Sequence, residues 1–98
     1  VNRPEILETA KGYVTADRNA THGDPEDNFR TIAEYWEAYL RSKGMEDVEI
    51  RTYDVAAMMV LMKVSRLATS PGQEDHWVDI AGYAACGGEV ATRVADRG

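Results

Sequence analysis

Two aspartates and two cations in the last third of the chain have the types and the spacing to do chemistry. Asp75 and Asp79 stand four apart in the run Glu74-Asp75-His76-Trp77-Val78-Asp79-Ile80. Lys63 and Arg66 stand three apart in Leu61-Met62-Lys63-Val64-Ser65-Arg66. On a helix either spacing puts both members of a pair on one face. Two carboxylates one turn apart can share Mg²⁺, with Mn²⁺ as a substitute, because these hard cations take oxygen ligands. A lysine and an arginine can hold phosphate, the arginine through a planar bidentate fork. The same residues also have a plainer use. Charges set among apolar neighbours are costly unless paired, and Asp79 lies between Val78 and Ile80. An interhelical ion pair with Lys63 or Arg66 satisfies it equally well. Asp75 in a first helical turn and cations near a helix C-terminus are favoured by the helix dipole in any case. Both readings stay open at this point.

A second polar group is the run Arg18-Asn19-Ala20-Thr21-His22-Gly23-Asp24-Pro25, which leads into a helix start. Helix N-termini attract anions. Asp24 is itself suited to cap that helix, which weakens a simple phosphate nest. Arg18, His22, Asp24 and Asn28 are the candidates for contacting a base and sugar. The plain alternative is a capped turn in which Gly23 supplies an unusual backbone angle. His76 belongs to no zinc spacing, since the chain has two histidines and one cysteine. There is no Gly-x-Ser-x-Gly elbow, no Walker loop and no dinucleotide fingerprint.

Composition narrows the partners. A formal charge of −6 and a pI near 4.8 argue against binding the backbone of duplex DNA or RNA, where a basic face is expected. A small nucleotide stays compatible, because a metal ion can supply local positive charge. Lys63 and Arg66 interrupt the longest apolar run well short of the roughly 18 residues of a membrane span. Cys86, the single cysteine, cannot form an internal disulfide and reads as a small core residue. The start shows no signal-peptide pattern. No membrane partner is expected, and the expected location is cytoplasmic.

The elements that must position these residues all read as helices, in one domain over residues 1–98. The first runs from about Pro4 to Val14, with Ile6, Ala10, Tyr13 and Val14 as its apolar stripe. The second starts at Pro25 behind the Asp24 cap, with Asp27 placed as a box-like acid. It presents Phe29, Ile32, Ala33, Trp36 and Leu40 on one face and stops at Gly44. An acidic connector covers 45–51. Thr52 is expected to cap the third helix, with Asp54 in its first turn. Pro71 and Gly72 turn the chain into the fourth, from about Glu74 to Val94. The expectation is a four-helix bundle. Ten of the thirteen residues from Val55 to Leu67 are apolar. A helix apolar nearly all round must be covered on most sides, so a homo-oligomer, a dimer or larger, is expected to cover it. The small residues from Ala81 to Gly88 suit close backbone approach.

The chain resembles a family of small bacteriophage proteins. The matching signature includes Arg18, Thr21-His22-Gly23-Asp24-Pro25, Asn28-Phe29, Ile32-Ala33 and Trp36. It continues through Asp54-Val55-Ala56, Met58-Met59, Leu61-Met62-Lys63, Arg66, Asp75 and Asp79-Ile80-Ala81-Gly82-Tyr83. That resemblance brings no activity with it. More distantly, the helices resemble the MazG-like all-α nucleoside triphosphate pyrophosphohydrolases, in which a Glu-Glu-x-x-Glu helix and a Glu-x-x-Asp helix hold Mg²⁺ against the triphosphate. Glu74-Asp75 to Asp79 looks like the second motif with one residue more between the acids. Asp54-Val55-Ala56-Ala57-Met58-Met59 stands at the first with one acid in place of three. Glu34-Tyr35-Trp36-Glu37 has the right internal spacing but lies far from Asp79 along the chain. The resemblance implies a Mg²⁺-dependent pyrophosphohydrolase, with Asp75 and Asp79 on the metal, Lys63 and Arg66 on phosphate, and Arg18 to Asn28 at the nucleotide. The missing acids point to the alternative, a binder that sequesters a nucleotide or nucleotide-derived signal without hydrolysing it. A protein-interaction module built on the third helix is the further alternative.

Overall fold

The computed structural model describes residues 1–15 and 24–97, with side chains through Arg93. The described chain forms four α-helices: α1 (Arg3–Tyr13), α2 (Pro25–Ser42), α3 (Thr52–Leu67) and α4 (Glu74–Arg97). No strand occurs among the described residues, which are all-α as the periodicity predicts.

The helix ends follow local hydrogen-bond chemistry. Asn2 caps α1: its side chain accepts from the Glu5 N–H at 2.9 Å, and Glu5 accepts from the Asn2 N–H at 3.2 Å. Asp24 caps α2, accepting from the Glu26 N–H at 2.9 Å. Asp27 instead lies 3.7 Å from Arg30. Replacing Asp24 with Ala is expected to cost about 1 kcal/mol, whereas Asn, which can still accept, keeps most of it. Chemical denaturation of both variants checks this.

At its far end α2 closes in a Schellman motif. The Gly44 N–H donates to the Arg41 carbonyl and the Met45 N–H to the Leu40 carbonyl, at the open C-terminal end of the helix. Gly44 adopts φ 100°, the left-handed conformation that glycine allows without strain. The cap of α3 is a correction. Arg51, not Thr52, is the last extended residue, because the Asp54 carboxylate reaches back to the Arg51 N–H at 2.9 Å. Helix α4 also runs past Val94 to Arg97, no glycine or proline interrupting it after Glu89.

Helix α4 is the centre of the packing. It lies most extensively along α3, takes α1 on a second side, and touches α2 only lightly; α2 packs chiefly on α3. The core is Phe29, Ala33, Val55, Ala56 and Val90. Helices α3 and α4 approach closely at Gly87, where an added Cβ would lie 2.8 Å from the Ala56 Cβ. The small residues of α4 are therefore spent partly inside the chain. Gly82 faces Val14, the residue just past α1, less tightly: a Cβ there would make ordinary contact at 3.8 Å. The connector is pinned to α2: the Ile50 N–H donates to Glu37 at 2.7 Å, and Arg41 donates to the Val48 carbonyl at 3.2 Å. On α1, Ala10 is buried, but Tyr13, expected on the apolar stripe, is exposed.

Helix α3 is covered on one side only. Val55 and Ala56 are buried, whereas Met58, Leu61 and Val64 are exposed, Leu61 at 65%. No helix is long and apolar enough to cross a membrane among the described residues.

Candidate functional site

Helices α3 and α4 run antiparallel, joined by the turn of residues 68–73, so the last turn of α3 lies beside the first turns of α4. Carbonyl ends of one helix thus meet N–H ends of the next. Ser70 N–H closes onto the Arg66 carbonyl at 3.0 Å, and the Trp77 indole donates to the Pro71 carbonyl at 2.8 Å, fixing the turn.

The four charges singled out by spacing gather at this end. Lys63 Nζ lies 2.7 Å from Asp79 Oδ2, with the lysine side chain 14% exposed and the aspartate 33%. The aliphatic stem of Lys63 is packed away while its ammonium meets the carboxylate. Of the two possible partners for Asp79, the structure selects Lys63. Arg66, three residues on, is exposed and makes no ion pair among the described residues, as does Asp75, one turn before Asp79. The His76 Nδ1 beside them is buried without a hydrogen-bond partner among the described residues.

The donor set can be tested against Mg²⁺. Such an ion is satisfied by one or two carboxylates when phosphate oxygens complete its shell, so the number of acids does not decide the matter. The ammonium does. A divalent cation on Asp79 must displace Lys63 or sit against its positive charge, and a displaced Lys63 becomes a largely buried charge without a partner. No three His, Cys, Asp or Glu side chains converge on a metal-sized space among the described residues. The residues present do not fit a resident Mg²⁺ ion. The acids upstream do not come to Asp79 either. Asp54 is committed to the Arg51 N–H, and Glu37 to the Ile50 N–H.

The nucleotide candidates lie elsewhere. Arg18 and His22 lie outside the described residues. Asp24 sits against the opposite end of α4, 3.8 Å from Arg93 Nη1, and Asn28 follows one turn along α2. Arg93 is 14 residues beyond Asp79 on one helix, about 20 Å at the helical rise. Within one chain, the described half of the nucleotide group does not meet the charged end of α3 and α4.

Around Arg93 the structure builds a network that spacing alone did not reveal. Its guanidinium contacts Glu26 at 3.3 Å, Asp24 and Glu89. Glu26, 13% exposed, is bracketed on its other side by Arg30 at 3.5 Å. Glu89 and Arg93, four apart on α4, were legible as a helical pair. Their link to Glu26, 67 residues away in sequence, was not. Burial, then Glu89 and Asp24, push the Cys86 thiol upward, which keeps it protonated and a poor nucleophile. Beside the network, a groove of about 360 Å³ runs between α2 and the connector, edged by Arg30, Glu34, Glu37 and Arg51.

With this geometry in hand, comparison with known proteins gives consistent results. The family model described as "Domain of unknown function (DUF6378)" matches residues 5–91. The "Gene 55 protein" of Mycobacterium phage D29 is 38% identical over 81 residues, which is 83% of this chain and 50% of the phage protein. The "Gene 55 protein" of Mycobacterium phage L5 is 40% identical over 79 residues, 81% of this chain and 47% of its own. The chain spans about half the length of these curated relatives. The resemblance to small phage proteins is thus borne out. No solved structure matches.

Proposed function

The chain belongs to the DUF6378 family, and from that premise we propose that it binds the phosphate of a nucleotide, or of a nucleotide-derived signal, without turning it over. It does so on a MazG-like helical scaffold that lacks the metal cage. The supporting observation is the Lys63–Asp79 contact of 2.7 Å, which holds a lysine ammonium in place beside the guanidinium of Arg66, which makes no ion pair among the described residues. Two cations at a helix–helix end are a phosphate-binding arrangement, and a carboxylate engaged by lysine is not poised to hold a hydrolytic metal. A Mg²⁺-dependent pyrophosphohydrolase would use the same end, with Asp75 and Asp79 on the metal, and needs Lys63 to let go.

The test is a panel of nucleotides offered to the purified protein with Mg²⁺ or with chelator, reading both binding and pyrophosphate release. Binding without release is expected. Release that requires Mg²⁺ establishes the hydrolase instead. Neither binding nor release leaves the protein-interaction module.

The active form in this proposal is a homo-oligomer that covers the outer face of α3. The exposed Met58, Leu61 and Val64 support it, because a cluster of large apolar side chains facing water on one helix marks an interaction surface. Light scattering at micromolar concentration is expected to give a dimer or larger, and Leu61→Glu to give a folded monomer with full helicity. Leu61 is the informative position, since Met59 packs against the core and its loss confounds dissociation with unfolding. A monomeric parent protein defeats the argument.

A further inference from the structure

We infer that the Lys63 ammonium takes the place of a divalent cation at this end, so that phosphate binds there without a metal. The inference rests on the nucleotide-binding reading and states how that site is charged. Asp79, which the spacing offers as a metal ligand, has its Oδ2 at 2.7 Å from Lys63 Nζ. An ammonium carries three N–H donors, and the contact with Asp79 uses one. The others remain to meet phosphate oxygens. The 14% exposure of the lysine side chain limits its freedom, so little ordering is left for a ligand to impose. Asp79 acts here as a positioning residue: it fixes the ammonium and keeps the buried stem from carrying an unpaired charge. Arg66 supplies the second cation from the exposed last turn of α3, with no described ion pair to give up. A metal on Asp79 would sit against the Lys63 ammonium, whose positive charge already answers that carboxylate.

The experiment is calorimetric titration with ATP and, separately, with inorganic pyrophosphate, each in EDTA and in Mg²⁺ buffer. Affinities in the two buffers are expected to agree within about threefold, less than 1 kcal/mol. Arg66→Met, an exposed change that leaves the fold alone, is expected to weaken binding in EDTA by about tenfold, the loss of a charge-assisted contact. Lys63→Met is expected to weaken it similarly and to make the remaining binding depend on Mg²⁺, because Asp79 is then free to hold the ion. Binding confined to Mg²⁺ buffer in the parent protein keeps the nucleotide reading and overturns this inference alone. So does unchanged EDTA affinity in both variants. Absence of binding in either buffer removes the nucleotide reading itself, and this inference with it.

Discussion

Asp79→Asn is expected to lower the melting temperature of the ligand-free protein by about 10 °C. The change keeps the shape of the side chain and removes its charge. Lys63, 14% exposed, is then left with an amide in place of a carboxylate 2.7 Å from its ammonium. Removing one partner of a fully buried pair costs about 3–5 kcal/mol, most of it the penalty of the stranded charge. Asp79 is one-third exposed, so water re-enters and screens the loss. A cost of about 2 kcal/mol follows, between the buried and the surface limits. The reciprocal variant behaves differently. Lys63→Met strands the more exposed partner, which water can solvate, and its methionine fills the packed channel of the lysine stem. It is expected to cost less than Asp79→Asn, and the double variant is expected to recover much of what Asp79→Asn loses. Thermal melts in EDTA compare all three. A metal ligand behaves in the opposite sense: neutralising it leaves the metal-free protein unchanged or steadier, by relieving repulsion from Asp75. An unchanged melt of Asp79→Asn in EDTA therefore removes the ion-pair account and the lysine-for-metal argument built on it.

The adjacent glycines of α4 are expected to respond to alanine with opposite signs. At Gly88 an added Cβ meets nothing within 4 Å. Gly88→Ala then gains helix propensity alone, about 1 kcal/mol, and raises the melting temperature by several degrees. At Gly87 the same methyl lands 2.8 Å from the Ala56 Cβ, a side chain with no flexible end to swing away. Helices α3 and α4 must separate along their central contact. Overpacking of this kind costs about 1–3 kcal/mol, which outweighs the propensity gain. Gly87→Leu, with no propensity penalty of its own, enlarges the clash and is expected to abolish cooperative unfolding. Loss of near-ultraviolet dichroism alongside the melt distinguishes a separated hairpin from a merely weaker one. Equal stabilisation by alanine at both positions refutes the close approach of α3 and α4.

Much of the fold was legible along the chain because it is decided within a turn or two. Asp24 before Pro25 specifies where α2 starts, since a short acceptor and a preset φ satisfy a helix N-terminus locally. Gly44 specifies where α2 stops, since only its backbone enters the left-handed region cheaply. Apolar spacing placed Phe29 and Ala33 inside and made the described elements helices. The same local rules misplaced the α3 cap, because Asp54 and Thr52 compete for the role and the outcome depends on the extended approach of the connector, which Glu37 holds from another helix.

The site divides along the same line. The type and spacing of Lys63, Arg66, Asp75 and Asp79 follow from the sequence, and so does the choice they pose between a metal site and an ion pair. Only the tertiary structure decided that Lys63 is the residue that meets Asp79. Only it decided that Asp24 sits beside Arg93, about 20 Å from Asp79 along α4, and that Glu26 is locked to Arg93. Spacing sets which side chains share a face of one helix. The rotation of each helix about its axis, and the height at which antiparallel neighbours pass, set which faces meet. Those are settled by how Gly87 lets α4 close on Ala56, and no window of the sequence contains both.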